Sequence, residues 1–265
     1  MRIQIGSLTR SRYAAWVALK GRVALVTGAG SESGLGNAIS RALAKAGATV
    51  VLSDIDVDGA RRNAAAIGTS ARAVALDVTS EESVAEAVRE VGPVDVLVNN
   101  AGITQRRAIW DLSIDDFDRM QAVNLRGGFL CLSAVVKGMM ERRWGRVIWI
   151  SSVAGKQGGG IIGTAHYAAS KAAVIGLCQA AARELGPYGI TSNAIAPGFI
   201  LTGIATRAVD AQTEREMDEM ISAQAPMRRS GLPDDVAAAA AFFASEEAGY
   251  ITGEVMDVNG GIYFD

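Results

Sequence analysis

A hydroxyl, a phenol and an ammonium group fall within one stretch of this chain. It runs from Ser152-Val-Ala-Gly through a glycine-rich loop to His166-Tyr167-Ala-Ala-Ser170-Lys171. Tyr167 and Lys171 are four residues apart, so on a helix they share a face. A phenol ordinarily titrates near ~10. A lysine cation one turn away favours the phenolate and lowers that value, which makes a proton acceptor usable near neutral pH. Tyr-x-x-x-Lys is also a common pattern on exposed helices, so its meaning depends on what the rest of the chain brings beside it.

A second cluster suits phosphate. Gly28-Ala-Gly30-Ser-Glu-Ser-Gly34-Leu35-Gly36 follows the apolar run Arg22–Thr27 and precedes the alanine-rich stretch Asn37–Ala46. Strand, glycine loop and helix in that order point to a dinucleotide. Glycines let the backbone approach a pyrophosphate, and the helix N-terminus offers free N–H groups to the anion. Asp54 closes the next apolar run, eighteen residues past Gly36, where an acid binds the adenosine ribose. A carboxylate there accepts from ribose hydroxyls and repels a 2′-phosphate. The loop itself carries Glu32 and no Arg or Lys, so NAD is expected over NADP. Asp54, Asp56 and Asp58 also precede a helical stretch, and helix capping is the competing role.

These groups need a scaffold, and the chain supplies a repeating one. Short apolar runs at 22–27, 48–53, 72–76, 94–98, 146–150, 190–195 and 254–258 read as strands. Between them, 80–91, 114–142, 165–185 and 232–244 read as helices. Such β-α repeats imply a doubly wound α/β fold with one parallel sheet covered on both faces. Gly28, Asp54, Asp77, Asn100, Ser152 and Pro197 all fall just past strand C-termini, the edge where open α/β sheets bind ligands. Residues 21–265 read as one Rossmann-type domain. Residues 199–232 form the longest interruption, with Thr202, Thr206 and a helix-like piece at 212–222; they are a candidate substrate lid or a solvated connection. Residues 1–20 carry Arg2, Arg10, Arg12 and Lys20, with no acid before Glu32. That leader resembles a transit peptide; it is read here as a plain extension packing on the body.

Composition narrows the classes further. The 265 residues are 49% hydrophobic and 20% charged, with net charge −2 and pI near 5.6. This balance gives no electrostatic case for nucleic acid or an acidic membrane surface, and no apolar run approaches the ~18 residues of a span. Cys131 and Cys178 lack metal or redox spacing and suit a cytoplasmic protein with buried thiols. No metal-ligand cluster is visible, and His166 is the only histidine. His166 has two readings, a functional one in which it contacts substrate or tunes Tyr167, and a helix-start residue bonded to backbone; the second is preferred because it lies off the Tyr/Lys face.

Together, Thr27-Gly28…Gly34-Leu35-Gly36, Asp77-Val78, Asn99-Asn100-Ala101-Gly102, Asn124, Ser152, Tyr167-x3-Lys171, Pro197-Gly198…Thr202 and Ile251-Thr252-Gly253…Asn259-Gly260-Gly261 make the chain resemble the short-chain dehydrogenase/reductase family from about Leu19 to Gly261. The resemblance implies Tyr167 as general acid/base and Lys171 as the group that lowers its pKa and bonds the nicotinamide ribose. It implies Ser152 on the substrate oxygen and Asn124 holding a water behind Lys171. Asp77 and Val78 would flank adenine. Asn100, Ala101 and Gly102 would line the cofactor's ribose side, and Pro197, Gly198, Ile200 and Thr202 would hold the carboxamide. It also implies a homotetramer with the helices of Asn124 and Tyr167 at one interface. Two departures stand out. Five residues separate Gly28 from Gly34 and fifteen positions separate Ser152 from Tyr167, each two more than the family pattern. The first leaves open which amides of Ala29–Ser33 meet phosphate. The second puts Gly158-Gly159-Gly160 in the catalytic loop and leaves Ser151 as the rival of Ser152. The expected activity is NAD-dependent interconversion of a secondary alcohol and a ketone. The expected substrate is polar and sugar- or polyol-like, because Gln105, Arg106, Gln157 and His166 lie near the expected site. Arg107 and Trp110 follow the same loop, as polar contacts or as plain surface. Rival readings are a 3-oxoacyl thioester reductase, whose usual NADP dependence is at odds with Asp54, and a cofactor-binding scaffold without turnover.

Overall fold

Each apolar run becomes a strand, with bounds moved by one or two residues. The computed structural model describes residues 18–159, 164–202 and 211–264; the start of the leader, Gly160 and Thr206 lie outside them. The strands are β1 (Val23–Thr27), β2 (Thr49–Asp54), β3 (Ala71–Ala75), β4 (Val96–Asn99), β5 (Gly145–Ile150), β6 (Ile190–Pro197) and β7 (Val255–Val258). The helices are α1 (Leu35–Lys45), α2 (Val57–Ile67), α3 (Glu81–Val91), α4 (Ile114–Gln121), α5 (Gly127–Arg142), α6 (Val153–Gln157), α7 (Ala165–Leu185), α8 (Ala211–Gln224) and α9 (Pro233–Ala244).

All the strand pairings are parallel, in the order β3-β2-β1-β4-β5-β6-β7. β1 lies between β2 and β4, so the winding reverses beside it and a crevice opens at the strand C-termini. Side chains alternate across the sheet with the period of two that strands impose. Ala24 and Val26 face one core, shared with Ile39, Leu43, Val236 and Phe243 of α1 and α9. Leu25 faces the other, shared with Val84, Leu132, Val174 and Cys178 of α3, α5 and α7. Leu19, inside the expected extension, is already buried, and its amide donates to the Ala46 carbonyl at 2.8 Å.

Two local features differ from expectation. The continuous helix expected over 114–142 is interrupted: Ala122–Arg126 is a π turn between α4 and α5. The wider turn resets the helix phase, a device found mostly at functional sites, and Asn124 inside it is buried. The loop expected after Ser152 contains α6, too short to show a helical period in the sequence. Ser152 is its N-cap, with the side chain accepting the Ala154 amide at 3.1 Å.

Candidate active site

A cavity of about 800 Å³ opens at the switch point between β1 and β4, within the size range of cofactor and ligand sites. The nucleotide half begins at the glycine loop. Gly28 has φ of +68°, and a Cβ there would stand 2.7 Å from Ala101 Cα. A Cβ on Gly36 would stand 2.5 Å from the Gly28 carbonyl oxygen, so α1 meets the loop where only glycine fits. Asn100 staples the two loops: its Nδ2 donates to the carbonyls of Thr27 and Gly28 at 2.8 and 2.9 Å. The Thr27 hydroxyl oxygen accepts the amides of Asn100 and Ala101, both at 3.0 Å.

Asp54 ends β2 at the cavity edge. Its Oδ2 accepts the Gly30 amide at 2.7 Å and its Oδ1 accepts the Asp56 amide at 2.9 Å. The cap of α2 is Asp56, whose Oδ1 accepts the Gly59 amide at 3.0 Å. Asp54 therefore faces the cavity, held by two amides, and leaves capping to its neighbour. Asp77 holds the following turn, its Oδ1 accepting the Thr79 amide at 2.9 Å and the Thr79 hydroxyl at 2.7 Å.

The catalytic candidates meet where β5 and α7 converge. Ser151 is buried, and its Oγ donates to the Lys171 carbonyl at 2.8 Å. Ser152 is half-buried and lines the cavity with Tyr167, whose phenol its side chain favours in the ionised form. The Lys171 Nζ donates to the Ile150 carbonyl at 2.8 Å and lies 5.7 Å from the Tyr167 ring centre. Burial lowers the Lys171 ammonium to about 8.

The pKa of Tyr167 corrects the sequence expectation. Burial raises it above its ordinary value of 10, and the Ser152 side chain opposes that rise without reversing it. The Lys171 ammonium, 5.7 Å from the ring centre, does not bring it below that value. Tyr167 is thus a protonated phenol at neutral pH, a donor before it is an acceptor.

Of the site residues expected from sequence, Gly28, Gly34, Leu35, Asp54, Asp77, Val78, Asn100, Ala101, Gly102, Ser152, Tyr167, Lys171, Pro197, Gly198, Ile200 and Thr202 line this one cavity. Gly36 and Asn124 do not. Gly36 packs beneath the loop. Asn124 stands behind the wall, its Oδ1 accepting the Ile103 amide at 2.8 Å and its Nδ2 donating to the Ile103 carbonyl and to Ser170 Oγ, both at 3.0 Å. The expected polar substrate contacts are mostly spent elsewhere. His166 is buried and its Nε2 meets Gln105 Oε1 at 3.0 Å, not the backbone. Gln105 Nε2 donates to Asp116 at 3.2 Å. Arg106 is exposed, Arg107 pairs with Asp116 at 3.6 Å, and Trp110 is 83% exposed. Of the four residues that suggested a polar substrate, only Gln157 lines the cavity. Phe199, Ile221 and Gln224 come from the 199–232 segment expected to flank the substrate, while the sequence reading missed Ile55, Val123 and Ile262. Ile55 could have been found as the apolar neighbour of Asp54; the others carry no motif.

A parallel doubly wound sheet, a glycine cradle at its switch point and a Ser-Tyr-Lys cluster beside it define a nicotinamide-dependent oxidoreductase. Comparison with known proteins makes the assignment specific. A family model described as enoyl-(acyl carrier protein) reductase matches residues 28–263. The 3-oxoacyl-(acyl-carrier-protein) reductase of Escherichia coli strain K12 is 42% identical over 248 residues, which cover 92% of this chain and 98% of that one. The same reductase of Vibrio cholerae is 41% identical over 249 residues, again 92% and 98%. A solved gluconate 5-dehydrogenase of Burkholderia cenocepacia, in complex with NADP and tartrate, superposes with a TM-score of 0.85 at 33% identity, over 94% of this chain and 97% of that one. The chain belongs to the short-chain dehydrogenase/reductase family. It is an oxidoreductase that interconverts an alcohol and a ketone with a nicotinamide cofactor, and its curated relatives favour the 3-oxoacyl thioester reading over the polyol one. No helix among the described residues is long and apolar enough to cross a membrane.

Proposed function

We propose that this protein is a 3-oxoacyl thioester reductase. The observation that carries this reading is the charge of the cavity. Among the described residues, Lys171 is the only cation that lines it, and Val153, Phe199, Ile200, Ile221 and Ile262 line it together with the uncharged Gln157 and Gln224. A sugar acid would bring its carboxylate to a wall that offers no cation besides Lys171. A 3-oxoacyl thioester presents an uncharged ketone and an apolar chain. The names of the 3-oxoacyl relatives point the same way.

The residues fit a nicotinamide cofactor: Gly28, Gly30, Ser31, Gly34 and Leu35 line the cavity with backbone and no large side chain but Leu35, and both oxygens of Asp54 are held by backbone at its edge. The loop and the first turn of α1 would hold its pyrophosphate, and Lys171 its ribose. When bound, the nicotinamide supplies or accepts the hydride. Tyr167 and Ser152 bond the ketone oxygen, and Tyr167 donates its proton to that oxygen as the carbinol forms. Lys171, charged below about 8, stabilises the phenolate left behind. Asn124 supports this cluster by fixing Ile103 and Ser170. NAD is the preferred cofactor on this reading, because a carboxylate and no cation faces the 2′ position. On this reading the protein is a cytoplasmic homotetramer assembled through the helices of Asn124 and Tyr167, in keeping with the half-exposed Phe129 on α5. Residues 21–265 form its single catalytic domain, with 199–232 flanking the substrate.

The test is a parallel assay of acetoacetyl and longer 3-oxoacyl thioesters, gluconate and polyols, each with both nicotinamide cofactors. Turnover of thioesters at least about tenfold above the sugars in kcat/KM supports the reading. A sugar or polyol as the best substrate would return the assignment to the polyol reading.

A further inference from the structure

The loop between β1 and α1 is held from behind by α2, a helix that carries none of the expected site residues. Asn63 on α2 is buried. Its Nδ2 donates to the carbonyls of Ala29 at 2.8 Å and Gly30 at 3.1 Å. The approach is as close as backbone permits: a Cβ on Gly59 would stand 2.5 Å from the Gly30 oxygen. On the other side, Asp54 takes the Gly30 amide at 2.7 Å and Ser53 takes the Ala29 amide at 3.0 Å.

These bonds decide which amides of the lengthened loop remain for an anion. Those of Ala29 and Gly30 are used by the protein, and that of Gly34 donates to the Ser31 carbonyl at 3.1 Å. In a trans peptide the C=O and N–H point in opposite directions. Holding the Gly30 carbonyl toward α2 therefore turns the Ser31 N–H away from α2, and Ser31 lines the cavity. The first-turn amides of α1 are free by helix geometry and open onto the same space.

We propose that Asn63 is a positioning residue for the cofactor: by holding the Ala29 and Gly30 carbonyls it presents the Ser31 amide, with the start of α1, to the pyrophosphate. The inference rests on the nicotinamide-cofactor reading of the cavity. It gives the lengthened loop a partner on α2 and makes α2 a determinant of cofactor affinity.

The experiment compares wild type with Asn63→Asp, Asn63→Ala and Gly59→Ala in NADH affinity by calorimetry, kcat at saturating NADH, and Tm. Asn63→Asp keeps the shape but has no donor and sets its oxygens against two carbonyls. The expected result is NADH affinity weakened about tenfold in Asn63→Asp and less in Asn63→Ala, with kcat at saturation within about twofold. A role confined to packing predicts the reverse order, with the isosteric Asp near wild type. Gly59→Ala places the better helix former on α2, yet it should also weaken NADH binding because it displaces the Gly30 carbonyl. Wild-type affinity in Asn63→Asp, or Tm losses with unchanged affinity in Asn63→Ala and Gly59→Ala, would overturn the inference. A wild-type chain that binds neither NADH nor NADPH would overturn the cofactor reading and this inference together.

Discussion

Ser151 and Lys171 are joined through the backbone carbonyl of Lys171, which accepts the Ser151 hydroxyl at 2.8 Å, while the Lys171 ammonium donates to the carbonyl of Ile150, the residue before Ser151, at 2.8 Å. Each residue anchors the other's chain segment, and Ser152, one position on, is left to face the phenol. Neighbours at a strand end point to opposite sides, so a single alternation sorts the two serines into an anchor and a cavity residue.

The two serines should therefore fail differently. Ser151→Ala is expected to cost about 1 kcal/mol of stability and leave kcat within a few-fold. Ser152→Ala should cut kcat by about 100-fold with a small change in Tm. Thermal melts and steady-state kinetics on the two variants separate them; equal kinetic losses would show that the assignment is wrong.

Tyr167→Phe removes the proton and keeps the ring. Cofactor binding should stay within about threefold, while turnover falls by about 100-fold or more, the usual weight of a general acid. Retained turnover would remove Tyr167 from the chemistry.

Asp54 has two duties, and Asp54→Ala should reveal both. The ratio of kcat/KM for the two cofactors should move toward NADP by about tenfold, and NAD affinity should fall because Gly30 loses its acceptor. An unchanged ratio would mean that Asp54 only fastens the loop.

Lys171 is a buried cation with a pKa of about 8 in place of 10.5. The unfavourable burial is fully present below 8 and is relieved as pH rises toward 10.5, so this group makes the protein less stable at neutral pH than at high pH. Lys171→Met should then raise the unfolding free energy at pH 7 by about 2 kcal/mol, the pKa displacement less the lost bond to Ile150, while abolishing turnover. Urea unfolding at pH 7 measures it; a destabilised variant would show that the lost bond outweighs the relieved burial.

His166 gives the acid limb. Burial lowers its pKa from the ordinary 6.5, with Asp116 opposing that shift and Arg107 and Arg119 adding to it. A group kept neutral in the fold supplies stability above the unfolded pKa that is lost as pH falls through the folded one. Unfolding free energy should therefore decline on acidification below 6.5. His166→Gln should flatten that slope, and because the chain has one histidine, its ring resonances in NMR report the same titration directly.

The sequence by itself determined what depends on local pattern. Apolar runs of strand length, glycines after the first of them, and a Tyr-Lys pair four residues apart are written in neighbouring residues, and α7 appears with the bounds read from sequence, Ala165–Leu185. Parallel pairing follows because each helix carries the chain back to the same end of the sheet before the next strand. Tertiary structure alone decided the rest. The π turn that seats Asn124, the pairing of His166 with Gln105, and the grip of Asn63 on Ala29 and Gly30 all join residues distant in the chain. The sign of the Tyr167 shift was decided there too. Desolvation depends on what surrounds a group from every element, and the spacing of Tyr167 and Lys171 records only one of its neighbours.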